Sequence, residues 1–111
     1  MKYSIQINQL AIIENGFNIK GTSLDTWALL DFLTLCAATL KQVEKDGVGW
    51  IWINFNYTKN ALPLCNFTEQ KIKKHLDLLE RLGLIKLAED SDNNVYYTLK
   101  DKAGIIQGVL A

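Results

Sequence analysis

The chain has 111 residues, a length that lets one domain bury roughly two thirds of its unfolded surface without disulfide or metal staples. Twelve Lys/Arg balance twelve Asp/Glu for zero formal charge, which excludes a strong, indiscriminate polyanion binder. The apolar stretches are too short and interrupted to span a bilayer, and the opening Met1-Lys2-Tyr3-Ser4-Ile5-Gln6 lacks the apolar run of a signal peptide; the expectation is a cytoplasmic protein with no membrane partner.

In chain order, Asn8 and Gly16 bracket a short helical segment, the first as cap and the second as terminator. It belongs to an N-terminal extension over 1–22. A long core helix is expected over 23–45, opening at Ser23 or Asp25. Its apolar band of Trp27, Leu30, Leu33, Ala37, Leu40 and Val43 is widened by Leu29, Phe32, Leu35 and Cys36, as suits a helix buried on most sides. The segment Lys45-Asp46-Gly47-Val48-Gly49 is expected to end it. Residues 50–55, Trp-Ile-Trp-Ile-Asn-Phe, are bulky and β-branched, so a strand covered on both faces is expected, with Trp50 and Trp52 packed on the helices. A short helix over 56–62 stops before Pro63, because a residue preceding proline avoids helical dihedrals.

The most informative element follows. Thr68 is a helix cap whose hydroxyl accepts a first-turn amide, and Phe67 stands where it can fold back over Ile72. Across a helix over 68–82, Ile72, Leu76, Leu79 and Leu82 gather on one side, whereas Gln70, Lys73, Lys74, Asp77 and Arg81 gather opposite. Gly83 closes the helix. Two strands within 84–99 flank the polar loop Glu89-Asp90-Ser91-Asp92-Asn93-Asn94 as a hairpin. The apolar, glycine-broken tail over 100–111 has no periodicity that assigns it a structure.

Charge is uneven along this order. Residues 59–86 hold six Lys/Arg against three acids, and the flanking regions are mildly acidic, a distribution that suits a localised anionic partner. Cys36 and Cys65 form no Cys-x-x-Cys pair and are expected as reduced core thiols. His75, the single histidine, projects toward the border of the apolar face with no partner for acid–base or metal chemistry. No phosphate-binding glycine loop, metal-ligand cluster or nucleophile–base spacing is present, which points away from an enzyme and from any cofactor.

The segments Trp50-Ile51-Trp52-Ile53-Asn54, Leu62-Pro63-Leu64, Phe67-Thr68-Glu69-Gln70-Lys71-Ile72, Leu78-Leu79-Glu80-Arg81-Leu82-Gly83-Leu84-Ile85 and Val95-Tyr96-Tyr97-Thr98-Leu99 together resemble the winged helix-turn-helix family. More narrowly, they resemble DNA-binding domains of phage and mobile-element replication or regulatory proteins. The resemblance covers nearly the whole chain. It implies an α+β fold with three main helices, a small antiparallel sheet and a β-hairpin wing, plus the short N-terminal helix. It also implies binding of double-stranded DNA in replication or transcription control; because a lone module makes few contacts, a homodimer is expected.

Carried over by position, the helix from Thr68 to Leu82 enters the major groove. Gln70, Lys71, Lys73 and Lys74 then face DNA, Thr68 lies near a phosphate, and Lys59 and Asn60 position the backbone. One departure stands against this. Wings that touch DNA bring basic side chains, whereas this loop carries Glu89, Asp90 and Asp92. Any wing contact falls to Asn93 and Asn94, or else the fold serves as a protein-interaction module, such as a modulator of a host protein complex.

Overall fold

The computed structural model describes residues 4–106. Five α-helices, one 3-10 turn and four strands occur among them, and the fold is α+β with an antiparallel sheet. No helix of the described residues is long and apolar enough to cross a membrane.

Helix α1 (Gln9–Glu14) begins where expected: Asn8 Oδ1 accepts the Ala11 amide at 3.0 Å. Gly16 follows at φ +69°. Ile12 and Phe17 are buried with the main core, so two side chains anchor this otherwise exposed N-terminal stretch to the domain.

Helix α2 (Leu24–Thr39) is the central element, with Leu29, Leu30, Phe32 and Leu33 almost fully buried. It ends six residues short of the expected 23–45 span. Leu40 already has extended dihedrals, and Val43–Lys45 is a strand, β1, paired with β2 (Val48–Trp52) in the register Lys45↔Val48 and Val43↔Trp50. Between the strands, Asp46 and Gly47 both take positive φ, +54° and +78°. An Asp-Gly pair is the preferred two-residue hairpin connection because its twist matches that of the flanking strands. The dipeptide read as a helix terminator is therefore a hairpin turn.

Helix α3 (Phe55–Ala61) is capped by Asn54 Oδ1, which accepts the Tyr57 amide at 3.0 Å. Pro63–Cys65 makes the 3-10 turn, and Asn66 at φ +52° swings the chain into α4 (Glu69–Arg81). Thr68 Oγ1 accepts the Lys71 amide at 3.1 Å, the expected cap. Gly83, at φ +77°, releases the chain into β3 (Ile85–Glu89), a conformation that costs a side-chain-bearing residue more than it costs glycine. Strand β4 (Val95–Leu99) and helix α5 (Asp101–Ile106) complete the order. The tail beyond 106 lies outside the described residues.

The sheet order is β1-β2-β4-β3, so the last strand inserts between β2 and β3. The pairs Ile51↔Tyr97 and Leu87↔Tyr97 place Tyr97 at the centre of the sheet's inner face. Its hydroxyl donates to the Leu33 carbonyl at 2.6 Å and so ties the sheet to α2. Helix α4 packs across α2 through Ile72, Leu76 and Leu79, all essentially solvent-free. The alternation that buries Ile51 and Ile53 leaves Trp52 on the opposite side, 50% exposed, with Trp50 half-buried. The expectation that both tryptophans pack on the helices fails there, because the helices cover one face of the sheet only.

Candidate nucleic-acid interface

Helix α4 separates its side chains as its periodicity dictates. Gln70, Lys73, Lys74, Asp77 and Arg81 are exposed, while Ile72, Leu76, Leu78 and Leu79 are buried. Lys20 and Gly21, from the loop between α1 and α2, line an open groove with Gln70, Lys73, Lys74 and Arg81. Lys20 was not legible as part of this face: it lies 50 positions or more from Gln70, Lys73, Lys74 and Arg81, and only the packing of that loop under α4 brings it there. Arg81 was visible on the polar arc by periodicity alone.

Lys71 leaves the face. Its ammonium lies 2.7 Å from Asp25 Oδ2 and donates to the Cys65 carbonyl at 2.6 Å, and it sits 5.4 Å from the centre of the Phe67 ring. A cation held by one carboxylate, one carbonyl and one ring is committed to the joint between α2, the 3-10 turn and α4. Burial acts to raise the Asp25 carboxyl, but hydrogen bonds from Lys71 and Cys65 and the nearby positive charge outweigh it, leaving the group below the usual carboxylate value.

His75 also departs from its expected border position, since it is buried. Its Nδ1 is 2.8 Å from Thr26 Oγ1, and Thr26 Oγ1 in turn accepts the Ser23 amide at 3.0 Å. The threonine hydroxyl, with one hydrogen and two lone pairs, serves the Ser23 amide and the imidazole at once. Burial is the largest influence lowering the His75 pKa; Asp25 acts against it, and Lys71 and Lys74 act with it. The two cysteines are free and buried, and burial pushes both thiols up to about 11, where they are poor nucleophiles at neutral pH. Among the described residues no group of three or more His, Cys, Asp or Glu is arranged to hold a metal.

A second recess, of about 350 Å³, opens where three elements meet. Lys59 and Asn56 come from α3, Glu69 from the first turn of α4, and Asn93 and Asn94 from the β3–β4 loop, with Trp52 at the edge. Lys59, Asn93 and Asn94 are thus brought together as a set, whereas Asn60 is exposed on α3 and lines neither this recess nor the groove along α4. Lys73 reaches toward the same region, with Nζ 5.7 Å from the centre of the Phe55 ring.

The acidic loop is partly spent on its own closure. Asp90 Oδ1 accepts the amides of Asp92 and Asn94, both at 2.9 Å, and Oδ2 accepts from Asn94 Nδ2 at 3.1 Å. These bonds, led by that from the Asn94 side chain, hold the Asp90 carboxyl below its ordinary value. Asn93 takes φ +64° at the tip. No family model, curated protein or solved structure matches the chain at significance.

Proposed function

We propose that this chain is a small winged-helix protein that binds double-stranded DNA, with α4 as the helix laid in the major groove and the β3–β4 hairpin as the wing. The observation that carries the reading is the exposed cationic arc of Lys73, Lys74 and Arg81, extended by Lys20, with the carboxylates of Asp77 and Glu80 set among these cations. Lysines and arginine on such an arc neutralise phosphates, and the Gln70 amide has the donor–acceptor pair that reads adenine. The strand order, with β4 between β2 and β3, supports the winged-helix reading. The resemblance noted above adds a role in phage or mobile-element replication or transcription control. A lone module makes few contacts, so a homodimer on half-sites about one helical turn apart fits this reading.

The test is duplex binding as a function of salt. If Lys59, Lys73, Lys74 and Arg81 each neutralise one phosphate, the slope of log K against log salt is about −3.5. A slope near zero, or no binding at low salt, rejects the reading.

A second reading, a protein-interaction module, is favoured by one surface. Val43 is 56% exposed and Val48 is 39% exposed, and they stand on the β1–β2 hairpin beside Trp50 and Tyr96. Light scattering that gives a dimer, lost on Val43→Lys, assigns that patch to self-association.

A further inference from the structure

We propose that the recess between α3, α4 and the wing loop holds an unpaired nucleobase, so that the preferred ligand is duplex DNA carrying a flipped-out or single-stranded base at the wing. The proposal rests on the DNA-binding reading and specifies the substrate of that same surface.

The chemistry of the walls selects this ligand. Trp52 is 50% exposed at the recess edge, and an indole face is a stacking platform that accepts any base. Asn56 and Asn93 are exposed, and each amide offers both a donor and an acceptor. The other two amides are half used: Asn54 Oδ1 is taken by the Tyr57 amide, leaving its NH₂ group, and Asn94 NH₂ is taken by Asp90, leaving its oxygen. Amides of this kind match base edges, which are themselves mixed rows of donors and acceptors.

Charge then rejects the alternative occupant, a phosphate. Lys59 and Glu69 line the same recess, so its walls carry balanced charge, and Glu89 and Asp92 stand on the adjoining hairpin. A phosphate entering would meet carboxylates, whereas a neutral base would not, and the Glu69 carboxylate can accept from an exocyclic amine. The backbone of the flipped nucleotide stays outside, near Lys73 and Lys59. This accounts for an acidic wing on a DNA-binding surface: the loop lies beside a base, not beside a phosphate. The volume of about 350 Å³ is of the size that ordinary small-ligand sites have.

The experiment compares three probes at one salt concentration: a blunt duplex, the same duplex with one unpaired extrahelical base, and the same duplex with a short single-stranded overhang. Fluorescence anisotropy of labelled DNA gives affinities, and quenching of the indole emission reports stacking. The expected result is about tenfold tighter binding of the unpaired-base probes than of the blunt duplex, with quenching that disappears in Trp52→Phe. Trp52→Ala and Asn56→Ala each remove most of the preference while leaving blunt-duplex affinity within about twofold. Lys74→Ala weakens all three probes alike. Equal affinity for all three probes, or quenching that survives in Trp52→Phe, overturns the base-holding site but leaves duplex binding standing. No binding to any probe overturns both. Trp52 and Asn56 are exposed, so near-UV circular dichroism matching the parent establishes that the variants are folded.

Discussion

The ammonium of Lys71 lies 2.7 Å from the carboxylate of Asp25, and this pair joins α4 to the first turn of α2. Both side chains are about one third exposed, so solvent screens the pair and its worth is modest. The Cys65 carbonyl and the Phe67 ring are the other partners of the same ammonium.

Lys71→Met is therefore expected to lower stability by about 1 kcal/mol while leaving the salt slope of DNA binding unchanged. Lys74→Ala is expected to do the reverse: unfolding stays within about 0.5 kcal/mol of the parent, and the slope flattens by about 0.9. Urea unfolding and salt titrations on the same two variants check both halves. A Lys71 variant with a flattened slope would return that residue to the DNA face.

Stability is expected to fall as the solution is acidified through the His75 range. The folded-state pKa is below the unfolded value of 6.5, so the unfolded chain takes up this proton first. The contribution is intact above 6.5 and is lost as pH falls through the folded-state value. Asp25 acts lower: its folded pKa is depressed below 3.8, so its contribution holds above that value and is lost on further acidification. Urea midpoints from pH 8 to pH 5 should decline in the parent and stay level in His75→Gln for this component. The glutamine can still accept from Thr26.

Tyr97→Phe removes the hydroxyl that donates to the Leu33 carbonyl at 2.6 Å in a buried position. The cost is expected at about 1 kcal/mol, the net worth of one buried hydrogen bond, because the Leu33 carbonyl lies within α2, where the helix ladder also uses it. Tyr97→Ala should cost about 3 to 5 kcal/mol through the added cavity. Chemical denaturation of both separates the hydrogen bond from the packing.

Asp90→Ala should loosen the β3–β4 loop without unfolding the domain. The amides of Asp92 and Asn94 lose their acceptor, so their hydrogen exchange should accelerate while amides in α2 and α4 stay protected. Asp92→Asn, which removes a loop carboxylate and keeps the Asp90 bonds, should instead leave exchange unchanged and tighten duplex binding about two- to threefold at low salt. The contrast distinguishes a loop-closing carboxylate from a repelling one.

Some elements were legible because local chemistry alone specifies them. Asn8, Thr68 and Gly83 mark helix boundaries by caps and a positive φ, and the leucine spacing of α4 gave its buried side. The β3–β4 hairpin followed from two β-rich runs around a polar loop. The β1–β2 hairpin carried an equally local signal, Asp46-Gly47, but it was masked by an apolar periodicity that continues through Leu40 and Val43. Helix and strand compete there, and the strand prevails because Val43 pairs with Trp50.

Local chemistry along the chain sets where most of it bends, caps and buries its leucines, because those choices depend on neighbours within a turn or two. Only the tertiary structure decided which charged and aromatic groups remain free. Lys71 and Lys73 are two residues apart on one helix, yet Asp25, 46 positions before Lys71, engages the ammonium of the first at the joint between α2 and α4. Thr26 likewise turns His75 into an interior group, and the helices' coverage of one sheet face leaves Trp52 in solvent. Periodicity fixes the direction in which a side chain leaves its helix or strand, whereas what it meets there is set by a segment distant in sequence.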